Sequence, residues 1–156
     1  MRKIVLAPLS FALILGIAAC STLTDKSLTT ADAGEIGQVV PVDGGGQYFD
    51  ITPQELNMML KTKDFFFVNV HIPYEGELPE TDAFIPFDEI EGHLAEFPQA
   101  KDTKIVLYCR SGSMSVTAAR EMVRLGYTNI YNLVGGFHAW EEAGYEFIPI
   151  MDWARA

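Results

Sequence analysis

The sequence is poor in cysteine, in basic side chains and in long apolar runs. Its 156 residues include two cysteines, Cys20 and Cys109, which allow at most one internal disulfide. Lys and Arg number 11 against 21 Asp and Glu, a formal charge of −10, and the phosphates of nucleic acids repel such a chain. The longest uncharged apolar run, residues 4–19, is shorter than the about twenty residues of a membrane-spanning helix. The composition therefore excludes a disulfide framework and disfavours nucleic acid as a partner.

The first twenty residues have the layout of a bacterial lipoprotein signal. Arg2 and Lys3 give a basic start, an apolar stretch follows, and Ile17-Ala18-Ala19-Cys20 resembles a lipobox. The resemblance implies cleavage before Cys20, a diacylglycerol thioether on its sulfur and acylation of the new amino group. A transmembrane anchor or a plain secretory signal is the alternative. We expect residues 1–19 to be a signal peptide and the mature protein to be lipid-anchored outside the cytoplasm.

Cleavage at this point changes the charge and the thiol content of the chain. The mature chain keeps 9 Lys and Arg against 21 Asp and Glu, a formal charge of −12. Anionic headgroups repel it, so the lipid must hold it on a membrane. Ser21 stands where Asp would retain a lipoprotein at the inner membrane, which permits either the cell membrane or an outer membrane. Cys109 becomes the only thiol of an exported protein, and is either buried and inert or kept to react.

The remaining chain divides into a tether and a domain. Residues 20–46 are rich in Ser, Thr, Gly and Asp, and we expect a flexible tether with a mean reach on the order of 30 Å. Residues 47–150 alternate strand-like apolar runs with helical patterns, which predicts an α/β domain with a parallel sheet covered by helices. The predicted strands are 48–51, 65–70, 83–87, 104–108 and 129–133, and the predicted helices are 53–60, 88–94, 115–125 and 135–144.

The first predicted helix has a recognisable start. Thr52 stands at the N-cap, Pro53 at the first helical position and Glu55 at the third. This order predicts a capping box, in which the Thr hydroxyl and the Glu carboxylate each bond the other residue's backbone N–H.

Cys109 follows a predicted buried strand and precedes a short polar loop that contains glycine. In open α/β sheets, ligand sites lie at the carboxyl ends of the strands. Residues 110–114 are able to curl with their backbone N–H groups toward the sulfur, and a helix starting near Ser115 adds unpaired N–H groups and a positive dipole. We therefore expect a cradle that stabilises an anionic sulfur and makes Cys109 a nucleophile. Arg110 supplies the one cation that sequence adjacency guarantees there.

Two segments of the chain resemble the rhodanese family. Y-C-R-S-G-S-M-S, residues 108–115, resembles the family's six-residue active-site loop, which begins with cysteine, and residues 125–140 resemble its closing segment. The likeness, from about Tyr48 to Phe147, implies a three-layer α/β domain with a central five-stranded parallel sheet flanked by helices. The loop residues that it assigns to substrate binding are Arg110, Ser111, Gly112, Ser113, Met114 and Ser115.

The resemblance also implies an activity, that of a sulfurtransferase. Cys109 would take a sulfane sulfur from thiosulfate or a persulfide and pass it to an acceptor such as cyanide or a thiol. The implied partners are a small sulfur-containing substrate or a persulfide-bearing thiol, and a membrane through the lipid anchor, with no nucleic acid. No cofactor is implied. A rhodanese-like module that binds a partner or stores sulfur without catalysis is the alternative, and the complete glycine loop around Cys109 favours the enzyme.

Several positions depart from the family pattern. The common D-V-R of the second strand is Asn69-Val70-His71 here, and the frequent basic residue at the sixth loop position is Met114. Each change removes charge from the mouth of the pocket. We therefore expect thiosulfate, a dianion, to be a poorer donor than a neutral or apolar persulfide. His71 either donates a proton, binds substrate or fills the family's Arg position structurally.

Other chemistries find less support in the sequence. Cysteine-based phosphatases follow their cysteine with five residues and an Arg that clamps the oxyanion, and Ser115 occupies that position here. His93 and His138 have no neighbouring ligand partners in the sequence, so no metal site is predicted. The acidic residues of 75–82 lack the spacing of a calcium loop and are predicted to form a solvated surface.

Overall fold

The structure is a computed structural model that describes residues 36–150. The predicted signal peptide, the lipidation site Cys20 and the first part of the predicted tether lie outside the described residues. The helices are α1 (Pro53–Leu60), α2 (Ser113–Arg124) and α3 (Gly136–Glu142), with a 3-10 helix at Ile90–His93. The strands are β1 (Gln38–Pro41), β2 (Gln47–Ile51), β3 (Phe66–Asn69), β4 (Gly76–Glu77), β5 (Ala83–Phe84), β6 (Ile105–Tyr108), β7 (Ile130–Leu133) and β8 (Ile148–Pro149).

A central sheet runs in the order β1-β2-β7-β6-β3-β5. Five strands of this sheet are parallel to one another: β2, β7, β6, β3 and β5. They confirm the predicted parallel α/β sheet. The sixth strand, β1, pairs antiparallel with β2 at one edge. β4 and β8 form a separate antiparallel pair. Strand β6 lies between β7 and β3, and all four of its side chains are buried, as its apolar sequence predicted.

The helices cover both faces of the sheet and make three layers. On one face, α2 and the 3-10 helix bury Ala119, Met122 and Ile90 against the strands. On the other, α1 and α3 bury Leu56 and Trp140. Successive residues of β6 alternate between these two cores, as the period of a strand requires. The central strand is therefore excluded from water on both sides, which fixes the position of the loop that follows it.

The structure differs from the predicted tether over residues 38–46, where β1 and a turn belong to the folded domain. The turn closes with the Val42 N–H donating to the Gly46 carbonyl at 3.0 Å, and Val42 is buried. Gly44, Gly45 and Gly46 all have positive φ, so the glycine run forms a tight hairpin turn here. Glycine-rich composition is typical both of a flexible linker and of a tight turn. The sequence therefore did not predict strand β1, which precedes the turn.

The start of α1 confirms the predicted capping box. The Thr52 Oγ1 accepts from the Glu55 N–H at 3.2 Å, and the Glu55 carboxylate accepts from the Thr52 N–H at 2.7 Å. Partial burial raises the pKa of Glu55, but hydrogen bonds from Thr52 and from the Gly37 N–H outweigh it and hold the pKa below its ordinary value. The ionised carboxylate thus stabilises both the helix start and the chain entering β1.

Replacing Thr52 by alanine is expected to lower the free energy of unfolding by about 1 kcal/mol at neutral pH, because the first turn of α1 loses its cap. Urea unfolding measures the difference, and Thr52→Ser, which keeps the hydroxyl, is the control. The pKa of Glu55 is lowered in the folded state. The stabilisation that the ionised Glu55 contributes is therefore present above its unfolded pKa, and it disappears as the pH falls through the folded pKa. Equal stability of the alanine and wild-type proteins at neutral pH would contradict the assignment.

Candidate active site

Cys109 lies directly after β6 and is 1% exposed. Its Sγ accepts the Gly112 N–H at 3.1 Å and lies 3.5 Å from the Ser115 hydroxyl oxygen. Ser115 is itself fully buried, and its Oγ lies 3.1 Å from the Gly112 carbonyl oxygen. A hydroxyl carries one hydrogen, so Ser115 donates to the carbonyl or to the sulfur but not to both. An anionic sulfur, as the stronger acceptor, attracts that hydrogen.

Gly112 shapes the loop around the sulfur. Its φ of 101° lies in the left-handed region, and α2 begins at the next residue, Ser113, two residues before the predicted start. The earlier start places Ser115 inside the first turn of the helix with its hydroxyl toward Cys109. The predicted cradle of several backbone N–H groups is thus realised as one backbone N–H and one hydroxyl on the sulfur.

The other predicted loop residues lie further from the sulfur. Ser111 and Ser113 are exposed, and Met114 is partly buried against the core on the α2 face. A groove of about 460 Å³ borders the loop on its Ser111–Ser113 side, and Arg120 and Asn132 also line it. Arg120, which the sequence did not single out, adds a second cation close to the loop.

Arg110 is half-exposed and already bound to two side chains. Its Nη1 donates to the Glu75 Oε1 at 3.2 Å, and its Nε donates to the His138 Nε2 at 3.0 Å. The ring nitrogen that accepts this hydrogen bond carries no proton, so the contact fixes the tautomer of His138. The one cation predicted beside Cys109 is therefore compensated by a carboxylate. Neither partner was identified from the sequence, because they lie 35 and 28 residues away along the chain.

His71 is buried, at 4% exposed, on the strand end next to β6. Neither ring nitrogen has a hydrogen-bond partner, and the nearest acidic atom is the Glu75 Oε1, 3.7 Å from Nε2. The ring packs edge-on against Phe137, with centroids 5.5 Å apart. Its backbone N–H donates to the Asn69 Oδ1 at 2.9 Å, and the Asn69 amide donates to the Gly76 carbonyl. Asn69 thus holds the loop that carries Glu75.

Tyr108 secures the next part of the same loop. Its buried hydroxyl accepts the Leu78 N–H at 3.0 Å and lies 2.7 Å from the Thr81 hydroxyl. Burial raises the pKa of Tyr108 far above its ordinary value, so the phenol stays neutral and is a structural hydrogen-bonding group. The residue before Cys109 therefore fixes residues 78–81, which follow the loop that carries Glu75.

The amino end of α3 fastens the loop from the other side. The Phe137 N–H donates to the Cys109 carbonyl at 2.9 Å, and the His138 N–H donates to the Arg110 carbonyl at 3.1 Å. Gly136, with φ of 60°, permits this approach, because a Cβ at that position would overlap the Cys109 carbonyl oxygen. The double glycine thus sets the distance between helix and loop.

Two absences are observed within residues 36–150. No helix of this range is long and apolar enough to cross a membrane. No three His, Cys, Asp or Glu side chains of this range gather closely enough to hold a metal ion.

The fold and the loop define a class of three-layer α/β domains that hold one buried cysteine between a central strand and the helix after it. The family model described as rhodanese-like domain matches residues 52–143. The chain belongs to the rhodanese-like domain family, which confirms the resemblance found in the sequence.

Known relatives extend the comparison. A sulfurtransferase from Allochromatium vinosum is 33% identical over 106 residues, which cover 65% of this chain and 94% of that protein. A tRNA uridine(34) hydroxylase from Erwinia tasmaniensis is 30% identical over 120 residues, 73% of this chain but 30% of that protein. The solved structure of a rhodanese-related protein from Thermoplasma volcanium has a TM-score of 0.55 at 25% identity, and the match covers 64% of this chain and 96% of that one. At family level the rhodanese-like domain and the sulfurtransferase relative support sulfur transfer, whereas the Erwinia relative is named as a hydroxylase.

Gly136→Ala is expected to destabilise the domain by roughly 2–4 kcal/mol, since the new Cβ would push the backbone of Cys109 away and would itself sit at an unfavourable φ. Chemical denaturation measures the loss. Gly92→Ala is the matched control, because a Cβ there meets nothing within 4 Å. Equal stability of the two variants would show that α3 does not constrain the loop.

Proposed function

We propose that the chain transfers sulfane sulfur through a persulfide on Cys109. The observation that carries the proposal is the position of the sulfur, held between the Gly112 N–H and the Ser115 hydroxyl at the end of a buried parallel strand. The Gly112 N–H and the Ser115 side chain both lie at an atom that is anionic as a thiolate, and the backbone that carries them is in place before any substrate arrives. A cysteine that served packing alone would have no need of two donors on its sulfur.

The transfer consists of two displacements without net oxidation. The Cys109 thiolate attacks the outer sulfur of a donor R–S–SH, the donor's S–S bond breaks, and the thiol R–SH leaves with the proton. A persulfide, Cys109–S–S⁻, has then formed. A nucleophilic acceptor, a thiolate or cyanide, attacks the outer sulfur, and breaking of the enzyme's S–S bond restores the thiolate.

We infer that a neutral organic persulfide is a better donor than thiosulfate. Arg110, the cation adjacent to Cys109, is bound to the Glu75 carboxylate, so a dianion approaching it must displace that carboxylate. Asn69 and His71 add no fixed charge at this side of the site, and Met114 packs against the core. Neutral donors avoid the competition for Arg110.

A rhodanese-like module that stores sulfur without catalysis is the competing proposal. Storage and transfer both require a persulfide on Cys109, so persulfide formation alone does not separate them. The hydroxylase relatives do not provide a further one, because this chain spans only 30% of the Erwinia protein. The formal charge of −10 also disfavours a nucleic acid substrate.

Cys109→Ala is expected to lose persulfide formation and all turnover, because the attacking atom is removed. Incubation of the full chain with an organic persulfide, followed by intact-mass spectrometry, should show one added sulfur atom on the wild type and none on the variant. Release of thiocyanate after addition of cyanide measures the second displacement. Cys20→Ser, which keeps Cys109, is the matched cysteine control and should react as the wild type does.

Three outcomes separate the alternatives. Equal turnover of the wild type and Cys109→Ala would refute the enzyme. A wild-type persulfide that no thiol acceptor or cyanide removes would support storage. A kcat/KM for thiosulfate clearly above that for a neutral persulfide would refute the inferred donor preference.

We further propose that a lipid on Cys20 holds the protein at a cell membrane or an outer membrane, facing the periplasm or the cell surface. The proposal is supported by the lipobox-like residues 17–20 and by the apolar stretch before them. The net negative charge of the chain provides no attraction to anionic lipid.

Cys20→Ser is expected to release the protein into the soluble fraction, because the acyl chains have no other attachment point. Metabolic labelling with a fatty acid and partition into detergent measure the lipid. Cys109→Ala should keep both the label and the membrane location. Labelled, membrane-bound Cys20→Ser would show that a different anchor is at work.

A further inference from the structure

His71 is the polar side chain whose environment the site chemistry leaves unexplained. Its side chain is 6% exposed, and neither Nδ1 nor Nε2 has a hydrogen-bond partner. Buried polar groups in folded proteins are nearly always hydrogen-bonded, and each exception requires an explanation. A phenylalanine would pack on Phe137 equally well, so packing alone does not account for an imidazole here.

The partner of His71 must come from the protein. Both ring nitrogens are shielded from solvent, so water or a ligand reaches them only after a side chain moves. The Glu75 Oε1 lies 3.7 Å from Nε2, just beyond hydrogen-bond distance, and the Glu75 side chain is 35% exposed and therefore has room to shift. Among the described ion-pair contacts, Glu75 is the acid that faces His71.

The same carboxylate oxygen holds Arg110. The Glu75 Oε1 accepts from Arg110 Nη1 at 3.2 Å, so one atom stands between a guanidinium that it binds and an imidazole that it does not quite reach. If Arg110 is drawn toward an anion near Cys109, Glu75 loses its counter-charge. A small shift of Glu75 toward Nε2 then gives the carboxylate a new donor in the Nε2–H of the imidazole.

We propose that His71 is a positioning residue that donates a hydrogen bond to Glu75 when an anionic sulfur donor recruits Arg110. The Glu75 carboxylate keeps a hydrogen bond in both states, first from Arg110 and then from His71. His138 continues to accept from Arg110 Nε, so the guanidinium turns but stays at the site. His71 thus determines how well an anion competes for Arg110. This inference rests on the proposed sulfur transfer for its kinetic test.

The kinetic test compares thiosulfate with a neutral organic persulfide on the full chain in detergent. His71→Phe keeps the ring and removes both nitrogens, so the KM for thiosulfate should rise about five- to tenfold with little change in kcat. Glu75→Gln removes the negative charge that holds Arg110 and should lower that KM. In the double variant His71→Phe/Glu75→Gln, the KM for thiosulfate should equal that of Glu75→Gln, because no carboxylate remains for residue 71 to stabilise. The ratio of the thiosulfate KM to the neutral-persulfide KM should therefore rise in His71→Phe and fall in Glu75→Gln.

A conservative variant separates positioning from packing. His71→Gln retains a side-chain N–H that is able to reach Glu75, and its KM for thiosulfate should stay within about twofold of the wild type. If His71→Phe does not fold, a comparison of His71→Gln with the wild type still tests the proposal. An equal loss of activity toward both donors, or additive effects in the double variant, would overturn the proposal.

A second measurement does not depend on turnover. In Cys109→Ser, which forms no persulfide, addition of thiosulfate should shift the NMR resonance of the His71 Nε2 proton as the hydrogen bond to Glu75 forms. Glu75→Ala in the same background removes the acceptor and should abolish the shift. Absence of a shift at saturating thiosulfate would refute the exchange. A shift in Cys109→Ser combined with a wild type that forms no persulfide would refute the sulfur transfer and leave the exchange supported.

Discussion

The backbone at the end of β6 is the fixed point on which the site depends. The Val70 N–H binds the Tyr108 carbonyl, and the Phe137 N–H binds the Cys109 carbonyl, so a strand and a helix hold two successive peptide units. The Tyr108 hydroxyl fixes the Leu78 N–H on the same side. Because these bonds are buried, loss of any one leaves polar groups without partners, which is far more costly than the bond itself. The sheet and the helices around it therefore determine the position of the sulfur.

The charges around this fixed point are balanced before a substrate arrives. Arg110 is bound by Glu75 and by His138, so its charge is compensated by a carboxylate within the protein. In relatives that follow the family's D-V-R pattern, a full acid and base stand where Asn69 and His71 stand here. This chain replaces those charges with an amide that bonds the backbone and an imidazole that bonds nothing. Arg110, the cation next to Cys109 in the chain, is then held in an exposed ion pair with Glu75.

The sequence was informative where the structure depends on local order. Buried parallel strands appear as continuous apolar runs, and the cap of α1 follows from three residues, so both were predicted correctly. The cysteine loop was identified from its motif, and the fold from the resemblance that the motif carries. Strand β1 was missed because its pairing with β2 is what makes it a strand, and the glycine-rich turn between them has the composition of a linker.

The missed parts of the site are contacts between distant segments. Glu75 and His138 are brought to Arg110 by the sheet order, and nothing in their own neighbourhoods indicates that meeting. The acidic stretch around Glu75 was predicted to be a solvated surface, and this residue is in fact a half-buried partner of the site. The orphaned state of His71 is likewise visible only once all its neighbours are placed.

Ser115 has one hydroxyl hydrogen and two acceptors, the Gly112 carbonyl and the Cys109 sulfur. The carbonyl also accepts the Val116 N–H at 3.0 Å, so it keeps a partner when the hydroxyl turns away. Rotation about the Cβ–Oγ bond of Ser115 therefore redirects the hydroxyl hydrogen to an anionic sulfur without moving the backbone. In a catalytic cycle that alternates between a neutral and an anionic sulfur, the Ser115 hydroxyl hydrogen would alternate between the Gly112 carbonyl and the Cys109 sulfur while the backbone stays in place.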